Sequence, residues 1–167
     1  MNGSPSPSHP FGSEGEERSY PAFMRLPWEY KRTGDPWNAV NASSHYRKCE
    51  QTAIANELLN SIPAHRVTSK KLKSALASTH GGVIRDLEDF DKALQFGISA
   101  HAMTPKDFRP CTLLGAVNFD LGNYAEGKEW FDKGLSVGRR SAVLIPSCGV
   151  FSYAQIKWSV RKLEPAA

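Results

Sequence analysis

Cysteine is scarce in this chain: Cys49, Cys111 and Cys148 are the three in 167 residues, with no close spacing between them. An odd, scattered count suits a reducing compartment better than a disulfide-stapled scaffold, so a cytoplasmic protein is expected. No stretch approaches the roughly 20 consecutive apolar residues that a membrane-spanning helix needs, and no membrane role is expected. Met1–Gly15 has neither a basic start nor an apolar run, so no secretory signal is read there. Also lacking are a phosphate loop, a dinucleotide fingerprint and a nucleophile elbow. His45 and Cys49 stand four apart on an expected helix and share a face, but two ligands do not make a zinc site. No metal, cofactor or catalytic residue is expected, and the chain is not expected to be an enzyme.

Charge is present but unevenly placed. Residues 1–73 hold 10 Lys/Arg against 7 Asp/Glu, residues 74–138 hold 6 against 9, and residues 139–167 hold 5 against 1. An acidic centre therefore lies between basic flanks, and a basic flank can touch nucleic acid or simply solvate the surface.

Residues 1–36 hold six prolines, four glycines and five serines. Proline removes a backbone donor and glycine raises the entropy cost of ordering, so 1–36 is expected to be a disordered linker. Inside it, residues 23–32 mix Trp28 and Tyr30 with Arg25, Lys31 and Arg32. That mixture suits a docking segment, a base-stacking surface, or a staple folded back on the domain.

From Asp35-Pro36 the pattern turns helical, with Asp35 as N-cap and Pro36 at the first helical position. Apolar residues recur from Trp37 to Ile62, Asn41–Ser44 is a candidate break, and Pro63 ends the segment. Thr68 or Ser69 opens the next helix, through Leu87. Helices are then expected over Phe90–Met103, Phe108–Leu121 and Tyr124–Val137, with Gly138 as a C-cap. Residues 141–167 read as an irregular tail or cap, leaving 37–140 as the helical domain.

That domain repeats itself at a spacing of 34. Gly81 falls on Gly115, Val83 on Val117, Leu87 on Leu121, Phe90 on Tyr124, Phe96 on Trp130 and Ala100 on Gly134. This period belongs to paired helices that stack side by side, because one pair cannot bury its apolar face alone. Small residues at Gly81, Ala93, Gly115 and Gly127 are expected to let paired helices approach, with Phe90, Tyr124, Trp130 and Phe131 filling gaps. The spacing does not extend backwards: 34 residues before Gly81 is Arg47, where a small residue is needed. Since about three pairs are needed for a continuous core, Trp37–Ile62 supplies the missing helices, or the protein oligomerises, or it is marginally stable.

The later unit, Phe108 to about Arg140, resembles a tetratricopeptide repeat in its Leu114-Gly115 pair, its Gly122-x-Tyr124 turn and the aromatic Phe131. It departs from the family's pattern at Cys111, Gly127, Gly134 and Arg139. The earlier unit, from Ser74, keeps Gly81, Phe90, Ala93, Ala100 and Pro105, but has His80 for the leucine and Gly97 for the second-helix aromatic. The match covers about 40% of the chain. The resemblance implies an all-α solenoid of helix-turn-helix repeats whose first helices line a concave groove for a partner peptide or helix. By that resemblance the groove-facing residues are Ala75, Ser78, Gly82, Arg85 and Asp86, then Arg109, Thr112, Ala116, Phe119 and Asp120. The Lys/Asn/Arg cluster that grips a C-terminal carboxylate in one subclass is missing. Arg85 and Arg109 are expected either to hold acidic side chains of a partner or to pair within the chain.

The function expected first is a protein-binding adaptor or scaffold. The alternatives are the regulatory part of a longer enzyme, and a nucleic-acid-associated protein using residues 23–32 and Lys70, Lys71 and Lys73.

Overall fold

The computed structural model describes residues 22–142, with backbone alone for 22–24 and 139–142. The described residues are helical throughout, in seven α-helices: α1 Ala22–Thr33, α2 Pro36–Lys48, α3 Thr52–Asn60, α4 Lys70–Asp86, α5 Phe90–Met103, α6 Phe108–Asp120 and α7 Tyr124–Ala142. Helices α2–α3, α4–α5 and α6–α7 form three hairpins stacked in sequence, and α1 closes the stack by packing on α2.

The starts follow from capping chemistry. Carboxylates of Asp35, Asp89 and Asp107 and the Ser69 hydroxyl each accept from a backbone N–H of the first turn, at 3.0–3.2 Å. Those donors have no partner within the helix, so each cap contributes about 1 kcal/mol.

Each hairpin closes at one point where small residues meet. A Cβ on Gly81 would lie 3.4 Å from the Ala93 carbonyl oxygen, and one on Gly127 would lie 3.0 Å from that of Gly115. In the first hairpin Ser43 and Ala55, both fully buried, occupy the same crossing, with Ser43 Oγ 3.4 Å from the Ala55 oxygen. Each of these three pairs is twelve residues apart.

The hairpin turns repeat as well. Glu50, Glu88 and Gly122 all have positive φ, at 60°, 64° and 80°. The residue after each donates back to an inner-helix carbonyl: Gln51 to Tyr46, Asp89 to Ile84 and Asn123 to Asn118, at 2.8–3.2 Å. From the first hairpin to the second every one of these landmarks moves by 38 residues, and from the second to the third by 34.

The first hairpin is therefore a third copy of the unit. The residue equivalent to Gly81 is Ser43, not Arg47, because the connection Ser61–Ser69, with its 3-10 turn Ala64–Arg66, accommodates four extra residues. Of the three ways to complete a core, Trp37–Ile62 supplying the missing helices is the one the fold uses. Leu59, Ile62, Leu72, Ala75 and Val83 share one apolar cluster across the first two hairpins.

Four sequence expectations are corrected. The linker reading of 1–36 fails over residues 22–36, where Ala22–Thr33 is helical; residues 1–21 lie outside the described residues. Pro27 forfeits one hydrogen bond inside α1, yet burial of Leu26 and the Tyr30 hydroxyl, donating to the Ser61 oxygen at 3.2 Å, fix the helix against the stack. The break at Asn41–Ser44 is absent, since α2 runs through it and ends at Lys48, one residue before Cys49. The C-cap at Gly138 is also absent: α7 continues to Ala142, five residues past Val137, because Arg139 retains the N–H that proline would lack. The tail expected from 141 onward falls otherwise outside the described residues. Tyr124, expected to fill a gap between pairs, is instead 57% exposed.

Candidate functional site

The inner helices α2, α4 and α6 pack directly on one another, whereas α3 and α5 reach the next hairpin through its inner helix. This asymmetry places α2, α4 and α6 along one side of the stack, the side that curvature of stacked helix pairs makes concave.

Two ion pairs run along the concave side. Arg47 of α2 donates through Nε and one terminal nitrogen to the Asp86 carboxylate of α4, at 2.6 and 2.9 Å. Arg85 of α4 donates in the same forked manner to Asp120 of α6, with its second contact at 3.1 Å. Planar bidentate pairing of this kind fixes geometry as well as charge. Arg47 and Arg85 are equivalent in the repeat, as are Asp86 and Asp120, so each rung joins one hairpin to the next. The third hairpin has Phe119 at the arginine position, and the ladder stops there.

The expected groove residues separate into three groups. Arg85, Asp86 and Asp120 are engaged in the ladder. Gly82 lies beneath it, since a Cβ there would sit 2.3 Å from the Arg47 guanidinium. Phe119 turns away into its own hairpin, 5.4 Å from the Phe131 ring and 5.6 Å from Tyr124. Its expected place in the groove is corrected: the glycine at 127 leaves a hollow on α7 that the Phe119 ring fills.

Ser78, Thr112 and Ala116 are half-buried, Ala75 is buried, and Arg109 is exposed. The Thr112 hydroxyl donates to the Phe108 oxygen at 3.0 Å. The buried Ser78 Oγ has no hydrogen-bond partner. Arg109 pairs with the neighbouring Asp107 at 3.4 Å and lies over the Phe108 ring at 5.6 Å, with 57% of its side chain exposed. Equivalent positions on α2 are Trp37, Val40 and Ser44, which a search at a spacing of 34 does not find. Counting 38 from Ala75, Ser78 and Gly82 does.

Groups with chemical potential elsewhere are held quiet. Burial pushes the Cys111 thiol above its ordinary pKa, away from the nucleophilic thiolate. Its sulfur lies 3.7 Å from His101 Nδ1, whose pKa is lowered by burial and then by Lys133. Among the described residues no three His, Cys, Asp or Glu side chains gather as a metal set. Asp89 in the acidic run Glu88–Asp91 is an N-cap.

No family model and no curated protein matches the chain. Solved structures do. MamA MSR-1 C2 matches with a TM-score of 0.52 at 18% identity, over 77% of this chain and 70% of that one. MamA RS-1 ArsTM double mutant matches with a TM-score of 0.54 at 16% identity, over 76% and 68%. The fold is a TPR-like helical repeat. At this identity the likeness concerns the fold alone, and the repeat landmarks above support it from within the chain. Among the described residues no helix is long and apolar enough to cross a membrane.

Proposed function

We propose that this protein is a non-catalytic interaction module that holds a peptide or helix of a protein partner on its concave side. The observation that carries this reading is the concave side itself. Three inner helices are joined by the Arg47–Asp86 and Arg85–Asp120 rungs, and the same helices carry the half-buried Trp37, Ser44, Ser78, Thr112 and Ala116 and the exposed Arg109. A rigid, preformed surface lowers the ordering cost of binding. The rungs are charge-neutral, and the exposed Arg109 guanidinium, whose ion pair with Asp107 is long at 3.4 Å, favours an acidic group on the third hairpin. A cytoplasmic setting belongs to the same reading and rests on the unpaired cysteine spacing.

The aromatic–basic segment supports this reading over nucleic-acid binding. Tyr30 is committed to the stack, and the Arg32 guanidinium lies over the Trp28 ring at 5.1 Å. Those groups serve intramolecular packing before any base could stack on them.

The test is nuclease-treated affinity capture with crosslinking, comparing wild type with Ala116→Arg and Arg109→Glu. These substitutions alter the wall without touching the rungs or Phe119. A stoichiometric protein lost with both variants, and crosslinked to α4 or α6, supports the reading. Equal recovery by all three forms, or recovery only when nuclease is omitted, overturns it.

A further inference from the structure

On the outer helix of the third hairpin, α7, Glu126, Glu129, Trp130 and Lys133 stand at helical spacing along one stripe, and together with Ala125 they line a shallow open depression of about 520 Å³. The Trp130 indole is one of its lining groups. One edge of the ring is fixed by His101 of α5, in a T-shaped contact at 5.2 Å. Its face is covered by the Lys133 ammonium, 4.5 Å from the ring centre.

Glu126 and Glu129 have no ion-pair partner among the described residues, while the other carboxylate on this helix, Asp132, is paired with Lys128 at 2.6 Å. An aromatic face attracts a cation through its quadrupole, and two unpaired carboxylates beside it add to that attraction. Lys133 shows where a cation sits. Its tether is one flexible side chain, so an incoming cation displaces it at little cost.

We propose that this depression is a second binding site, which takes an arginine or lysine side chain of a basic partner peptide in place of Lys133. Its chemistry is opposite to that of the concave side, where the exposed charged group is the Arg109 guanidinium. One partner segment of alternating charge, or two separate partners, can therefore be held at once. The site does not depend on the concave reading, since none of its residues lies on α2, α4 or α6.

The experiment is calorimetric titration of the full chain with N-acetyl hexa-arginine amide at low salt. Binding to wild type is expected at one site. Glu126→Gln/Glu129→Gln is expected to weaken it about tenfold or more, Trp130→Leu about three- to tenfold at unchanged charge, and Lys133→Met to strengthen it several-fold. Because Trp130→Leu can loosen the contact with His101, the indole N–H resonance of Trp130 is followed in wild type and Lys133→Met during the same titration. A saturable shift of that resonance, stronger in Lys133→Met, supports the site. No binding by wild type overturns it. Equal affinity of Trp130→Leu and wild type, with only the carboxylates mattering, also overturns it, since that pattern is unspecific charge attraction.

Discussion

Arg85 of α4 grips Asp120 of α6 with both arms of its guanidinium fork, and one hairpin earlier Arg47 grips Asp86 in the same way. Sequence-adjacent residues Arg85 and Asp86 thus face opposite neighbours, one reaching forward and one held from behind. The arrangement links each inner helix to the next through a forked ion pair.

The Arg85–Asp120 side chains are 33% and 29% exposed, so solvent screens them substantially. A double-mutant cycle through Arg85→Ala and Asp120→Ala is expected to give a coupling of about 0.5–1 kcal/mol in urea unfolding, falling with salt. A coupling near zero at low salt would show that the rung only positions the helices.

Glu50 and Glu88 occupy left-handed turn positions where the third hairpin has Gly122. A residue with a Cβ is strained there, whereas glycine is not. Glu88→Gly is expected to stabilise the chain by about 0.5–1 kcal/mol after allowing for the greater freedom of glycine when unfolded. Gly122→Ala is expected to destabilise by a similar amount even though its surroundings are open. Thermal unfolding of the two variants measures both signs.

Gly127→Ala places a Cβ 3.0 Å from the Gly115 carbonyl and 2.9 Å from the Phe119 ring. The carbonyl belongs to α6 backbone and cannot yield without separating the hairpin. A loss of about 1–3 kcal/mol is expected. Gly134→Ala, whose nearest neighbour would be the Cys111 Cβ at 3.2 Å, is expected to cost less. Chemical denaturation of both variants side by side checks the order.

His80 stacks on Phe96 at 4.8 Å and shares a hydrogen bond of 3.0 Å with Asn56 of the first hairpin. Burial, and then the charge of Lys92, hold its pKa below the ordinary 6.5, and burial with Lys133 does the same to His101. The folded imidazoles therefore bind fewer protons than the unfolded ones as pH falls below 6.5. Stability is expected to be level above that pH and to decline below it until the folded values are passed. Melting curves between about pH 5 and 8 measure this. His80→Leu is expected to flatten part of the slope, and Asn56 keeps its contact from Asn60 at 3.3 Å.

The sequence by itself determined the class of fold. Period-34 coincidences such as Gly81 with Gly115, the caps at Asp35 and Ser69, and the stop at Pro63 are local rules of helix start, stop and close approach. They act over a few residues and need no knowledge of the rest. The protein-binding expectation came from the family resemblance, through positions counted from those same glycines.

Only the tertiary structure decided the rest. Arg47 and Asp86 are 39 residues apart and could be paired only once α2 and α4 were side by side. The third repeat stayed hidden because four extra residues in a surface connection shift its register, which stacking tolerates and a fixed spacing does not. Helix α1 read as linker because its proline and scattered basic residues are poor local signals, and what stabilises it is burial against α2. Phe119 was placed in the groove by its number in the repeat, but an aromatic ring goes where there is volume, and that volume is created on another helix by Gly127.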